Sequence, residues 1–188
     1  MPKLYVITGP SGVGKTSVAL KLVEALPRLK KLVTCTTRAM RDGEVADVDY
    51  HFFTNEEFER MIERGELFEW DKHYGYWYGN RTAELEALLD DGLDVLMVVD
   101  VNGARTIKKN RPDAFVIFLT ADSSDNLEDR IRSRASITEE ELTRRMQKIR
   151  EEMSFASQAD LVVTNTEGKL ATTVHQIKIA IQTSKGRP

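Results

Sequence analysis

The chain has 188 residues, 41% hydrophobic and 30% charged, which fits a single globular domain with a substantial core and argues against disorder. A net charge of −3 gives no overall attraction to nucleic acid or to a membrane surface, and the single cysteine, Cys35, cannot close an internal disulfide. With no signal-peptide pattern and no apolar run of membrane-spanning length, the expectation is a cytoplasmic enzyme with small-molecule partners, its oligomeric state left open.

Leu4-Tyr5-Val6-Ile7-Thr8 reads as a short, fully buried strand. Gly9-Pro10-Ser11-Gly12-Val13-Gly14-Lys15-Thr16 then matches G-x-x-x-x-G-K-[ST] in full, and Val18, Leu22, Val23 and Leu26 form one stripe of a helix from Ser17 to Leu26. Strand, glycine loop and helix are the order that a phosphate-binding loop requires. The backbone of Gly9, Ser11, Gly12, Val13 and Gly14 can curl its N–H groups onto a polyphosphate, and the helix start through Thr16 and Ser17 adds partial positive charge. Lys15 can reach the β- and γ-phosphates, and Thr16 offers a hydroxyl to Mg²⁺, a cation that prefers oxygen. The expectation is a nucleoside triphosphate site.

Further along, Leu32 to Thr37 reads as a second strand and Tyr50 to Phe53 as a short aromatic one. A helix opens at Thr54, carries Phe58, Met61 and Ile62 on one face and stops at Gly65. Leu67 to Trp70 and Tyr74 to Tyr78 read as two more strands, and Thr82 to Asp91 as a helix. Val95 to Asp100 is an apolar run ending in a carboxylate, as expected of a buried parallel strand. Ala104 to Asn110 is read as a helix, Ala114 to Leu119 as a strand, and 126–133 and about 138–155 as helices. Leu161 to Thr164 and Leu170 to Ile181 close the chain as strand and helix. Strands alternating with helices predict an α/β fold with a central parallel sheet covered on both faces. Residues 36–80 interrupt that rhythm and form the candidate substrate module.

Arg38 and Arg41, three apart beside a turn, can grip a phosphate by forked hydrogen bonds, although solvated surface charge is the simpler reading of such a pair taken alone. Tyr50 and Tyr78 offer phenolic donors among apolar neighbours. Glu69, between Phe68 and Trp70, is either the solvent-facing member of an alternating strand or a carboxylate accepting two N–H groups from one ligand edge, as guanine provides. Arg130 and Arg134, four apart, share a helical face, and Arg145 opens toward the same region. Arg132, Arg144 and Lys148 read as solvated charge.

The chain resembles a guanylate kinase essentially throughout. The resemblance rests on G-P-S-G-V-G-K-T, T-T-R-x-x-R-x-G-E at 36–44, D-Y-x-F at 49–52, the run from Glu57 to Trp70, Tyr78-Gly79, and D-V-N-G-A-R at 100–105. It implies a P-loop three-layer fold with a core of about 1–35, 81–125 and 156–188, an inserted mixed β/α GMP-binding module of about 36–80 and a helical lid of about 126–155. It further implies that Arg38, Arg41, Tyr50 and Tyr78 hold the GMP phosphate, with Glu44 also among the GMP-binding residues. Thr34, Glu69, Gly79 and Asn80 would surround guanine, with the Asn80 amide turned to O6. Arg130, Arg134 and Arg145 would close over ATP, Asn165 would lie near adenine, and Asp100 would order Mg²⁺ with Thr16 and face GMP. The implied activity is ATP-dependent phosphorylation of GMP and dGMP. A kinase for another nucleoside monophosphate and a non-catalytic guanylate-kinase-like binding module are the alternatives. The chain departs from the family pattern at Val98 (usually acidic), Asn80 (usually Ser or Thr), Met40 (usually Pro), Ser133 and Ala135 around Arg134, and Thr166.

Overall fold

A computed structural model describes residues 3–73, 75–122 and 138–184, Glu141 and Arg145 by backbone alone. Five strands, β1 (Leu4–Thr8), β2 (Leu29–Lys31), β7 (Asp94–Val98), β8 (Phe115–Thr120) and β9 (Leu161–Thr164), form a parallel sheet in the order β2-β7-β1-β8-β9. Its central strands are apolar at nearly every position because both faces are covered. Tyr5 and Ile7 of β1 point into one core with Val18 and Leu22 of α1 (Lys15–Ala25) and Ile177 and Ile181 of α6 (Leu170–Ser184). Leu4 and Val6 point the other way, into a core with Leu85 of α3 (Thr82–Asp90) and Ala104 and Ile107 of α4 (Val101–Asn110). Period-two alternation in one strand thus feeds two helical layers.

A second sheet holds β3 (Thr34–Thr36), β4 (Tyr50–Phe52), β5 (Leu67–His73) and β6 (Tyr76–Arg81) in the order β4-β3-β6-β5, parallel between β3 and β4 and antiparallel elsewhere. It carries its own small core of Cys35, Phe58 and Met61, flanked by Phe53, Ile62, Leu67 and Trp77. Phe58 stacks on Trp77 with ring centroids 6.0 Å apart. Phe58 comes from α2 (Asn55–Glu63), which starts at a capping box: the Thr54 hydroxyl accepts from Glu57 N, and the Glu57 carboxylate accepts from Thr54 N. The long helix α5 (Glu139–Met153) runs into a 3₁₀ turn at Ser154–Gln158.

Three boundaries depart from the sequence reading for identifiable reasons. The strand expected from Leu32 to Thr37 shortens to β3 in the second sheet, while β2, unnamed in the sequence reading, precedes it and pairs to β7, with Leu32 N donating to Leu96 O at the crossing. Asp100 does not end a strand. It is the N-cap of α4, which therefore starts at Val101 rather than Ala104. The strand expected at Tyr74 to Tyr78 lies later, as β6, while β5 extends to His73. The helix expected at 126–133 lies outside the described residues.

Because Phe58 anchors a core separate from the two main ones, Phe58→Ala should cost about 3–5 kcal/mol. In urea denaturation followed by hydrogen exchange, amides of β3 to β6 should lose protection before those of β1, β7 and β8.

Candidate active site

The glycine loop sits between β1 and α1 in a conformation open to few other sequences. Gly9 has φ +139°, and a Cβ there would fall 2.2 Å from Leu119 O; Gly12 and Gly14 also have positive φ. Val13 turns its side chain into the core, fully buried, leaving its backbone to the loop. Lys15 Nζ donates to Gly9 O at 2.6 Å and Pro10 O at 3.0 Å, which stations the ammonium over the loop. Thr16 and Ser17 are exposed on the first turn of α1. Asn165, expected beside adenine, is placed against this loop. Its Nδ2 donates to Val13 O at 2.8 Å and its Oδ1 accepts from Thr173 Oγ1 at 2.9 Å, so the amide braces the phosphate loop from beneath.

Glu69 owes its orientation to a β-bulge. Between Leu67 and Glu69 the β5–β6 register shifts, so that Glu69 lies directly opposite Asn80. Both side chains are buried, Glu69 at 5% exposure and Asn80 at 0%. Asn80 Nδ2 donates to Glu69 Oε1 at 2.6 Å, and Asn80 Oδ1 accepts from Thr34 Oγ1 at 3.3 Å. The solvent-facing alternative for Glu69 is therefore excluded, and the Asn80 NH₂ is aimed at Glu69, not outward as expected. Burial, opposed by the Asn80 bond and helped by the charges of Asp100 and Asp71, raises the Glu69 carboxyl to about 7. Gly103 makes room for it: a Cβ at Gly103 would lie 2.8 Å from Glu69 Oε2 and 3.0 Å from Val99 Cβ.

Arg38 is buried to 8% exposure. Its Nη2 bonds Glu44 Oε1 at 2.7 Å, while Glu44 Oε2 accepts from Arg41 N at 2.8 Å, so one carboxylate organises both arginine positions. The Arg38 bond holds the Glu44 carboxyl below its ordinary range. The guanidinium carbon lies 5.2 Å from the Tyr50 ring centroid, and Tyr50 and Tyr78 meet edge to face at 6.4 Å. Arg41 itself is exposed, and Gly79 is buried on β6 beside Asn80. Arg130 and Arg134 lie outside the described residues, and Arg145 is placed only as a position in α5.

Asp100 uses Oδ1 to cap α4 through Gly103 N at 2.8 Å, and its Oδ2 lies 3.4 Å from His73 Nδ1. Burial raises its pKa, with Asp71 adding to the rise. Asp71 and His73 were missed as site residues, yet the alternation beginning at Glu69 places all three on one face of β5. Lys148, expected to be solvated, donates to His73 Nδ1 at 2.7 Å. Glu152, at 8% exposure, is raised by burial and drawn back down by Lys15 and Lys148. The i, i+4 spacing of Lys148 and Glu152 was the available signal. Among the described residues no cluster of three or more His, Cys, Asp or Glu forms a metal cage, and no helix is long and apolar enough to cross a membrane.

The guanylate kinase family model matches residues 1–184. The guanylate kinase of Streptococcus pneumoniae strain R6 is 38% identical over 180 residues, 95% of this chain and 86% of that protein. The guanylate kinase of Rickettsia felis is 38% identical over 178 residues, 94% of this chain and 93% of that protein. The crystal structure of guanylate kinase from Anaplasma phagocytophilum superposes with a TM-score of 0.82 at 28% identity, covering 99% of this chain and 87% of that one.

An alanine in place of an internal helical glycine ordinarily stabilises by about 0.5–1 kcal/mol. At Gly103 the sign should reverse, since the new methyl meets Glu69 and Val99. Gly103→Ala should lower stability by roughly 1–3 kcal/mol in a denaturation titration.

Proposed function

The chain belongs to the guanylate kinase family, and from that membership we propose how its own residues convert GMP and ATP to GDP and ADP. The observation that carries the assignment of roles is the buried Glu69–Asn80 pair, with Nδ2 of the amide donating to the carboxylate at 2.6 Å. Glu69 feels the charge of Asp100, and Glu152 feels both Asp100 and Lys15.

Ionised Glu69 accepts N1–H and the 2-amino group of guanine, with Asn80 and Thr34 fixing the carboxylate and Gly79 flooring the pocket. Arg38, ordered by Glu44, grips the GMP phosphate with Arg41, Tyr50 and Tyr78. ATP lies with its β- and γ-phosphates on the N–H groups of residues 9–17, and Lys15 swings from the loop carbonyls to the γ-phosphate. Asn165 serves ATP through the loop that it braces. Arg130, Arg134 and Arg145 close over the donor and balance charge on the transferring group. A GMP phosphate oxygen attacks the γ-phosphorus in line, the bond to the bridging oxygen breaks, and ADP leaves. Closure of the 36–80 module and the 126–155 lid keeps water from that phosphorus.

Mg²⁺ fits the donors present: Thr16 offers an exposed hydroxyl, and Asp100 a carboxylate whose pKa is raised by burial and by Asp71, a charge that a divalent cation offsets. It would be held by Thr16 and, through water, by Asp100, and would supply charge neutralisation at the phosphates. dGMP, which offers the same base edge and the same phosphate, serves as well. We place the enzyme in the cytoplasm, acting on nucleotides alone.

A coupled ADP-release assay across GMP, dGMP, IMP, AMP and UMP tests this reading. GMP and dGMP should turn over, IMP should fall by roughly tenfold or more for want of the 2-amino group, and AMP by more. Preference for AMP would contradict the Glu69 assignment. Lys15→Ala should abolish turnover while calorimetry finds GMP binding nearly intact. Near-parental turnover in that variant would remove the loop from the reaction.

A further inference from the structure

We propose that Lys148 is a positioning residue for phosphoryl transfer, linking helix α5 to the substrate sheet through His73 at the edge of Asp100. The proposal rests on the activity derived above and adds a residue to it.

Three separate parts of the chain meet at this point. His73 ends β5 of the second sheet, Asp100 follows β7 of the parallel sheet, and Lys148 lies in the middle of α5. Lys148 Nζ donates to His73 Nδ1 at 2.7 Å, and Asp100 Oδ2 is 3.4 Å from the same nitrogen. An ammonium can only donate, so Nδ1 accepts and the ring proton rests on Nε2. Asp100 also feels the Lys148 charge. One turn further along α5, Glu152 is buried and senses Lys148, Lys15 of the glycine loop and Asp100. Positive and negative groups therefore alternate from the phosphate loop to the base-reading strand.

Two features make the link consequential. First, α5 is anchored to the core by Leu142 and Ile149, so a bond from Lys148 fixes His73 and the end of β5 relative to the parallel sheet. Glu69 and Asp71 lie on the same face of that strand, so the base-binding carboxylate and Asp100 keep one spacing. Second, Asp71, Asp100 and Glu152 bring three carboxylates to the place where the ATP triphosphate and the GMP phosphate must approach each other. Close like charges at low dielectric repel strongly, and Lys148 is a cation held among them. Removing it should impair transfer more than it impairs binding of GMP, whose base and phosphate contacts lie on other residues.

The test is steady-state kinetics of the full chain with Lys148→Met, Lys148→Arg, His73→Phe and the Lys148→Met/His73→Phe double variant. Lys148→Met should lower kcat by roughly tenfold or more with KM for GMP within about twofold, and Lys148→Arg should recover most of the loss. His73→Phe should also lower kcat, and the double variant should fall little below Lys148→Met, because both remove one link. A kcat for Lys148→Met within about twofold of the parent would overturn the proposal, as would fully multiplicative losses in the double variant. If the parent itself releases no ADP in response to GMP, the activity reading falls with it; a working parent beside unaffected variants overturns this inference alone.

Discussion

Glu69 is held out of water with its carboxyl bonded to Asn80, and burial of such a group is tolerated only where the surroundings replace what hydration would have given. One amide supplies part of that replacement, and the nearby charges of Asp71 and Asp100 work against it. The result is a carboxyl with its proton more firmly held than in water and a standing need for donors. Guanine presents two such donors side by side. The rest of the second sheet serves this arrangement: the bulge on β5 turns Glu69 inward, β6 sets Asn80 opposite, β3 brings Thr34, and Gly103 on α4 leaves the space.

The same economy of charge governs the remainder of the site. Glu44 is shared between Arg38 and the backbone of Arg41, so that a buried guanidinium stays paired. Asp100 divides its oxygens between the α4 cap and the side facing His73. Lys15 rests on loop carbonyls, and the loop itself is braced by Asn165. Lys15, Arg38, Glu44, Glu69 and Asp100 each have at least one protein partner, and substrates exchange for or add to these contacts.

Much of this was legible in the sequence because it is local. The glycine loop declares itself by spacing, the buried strands by unbroken apolar runs, and α2 by its cap and periodic face. What was not legible depends on register and on contacts between distant segments. Nothing in Leu67-Phe68-Glu69 announces a bulge, and without it the side to which Glu69 points is undetermined. The division of residues 29–36 between two sheets follows from pairing partners far away in the chain. Lys148 looked like one more charge on a polar helix until His73 was placed beside it, and Asp100 looked like a strand end because the cap of α4 is set by three-dimensional position.

The protonation of Glu69 is the point on which the account of base recognition is most exposed. Its folded pKa of about 7 stands above the ordinary value of 4.5, so the folded chain holds this proton more tightly than the unfolded one. The group therefore favours folding increasingly as pH falls from above 7 toward 4.5, and above 7 its ionised form is a cost to the empty pocket. Guanine donors favour the ionised form, so binding must lower the pKa. The direct measurement is a pH titration of the ¹³C carboxyl resonance of Glu69, without and with saturating GMP. The account predicts a midpoint near 7 in the free protein and a markedly lower one in the complex. A midpoint at the ordinary glutamate value that GMP leaves unchanged would contradict it.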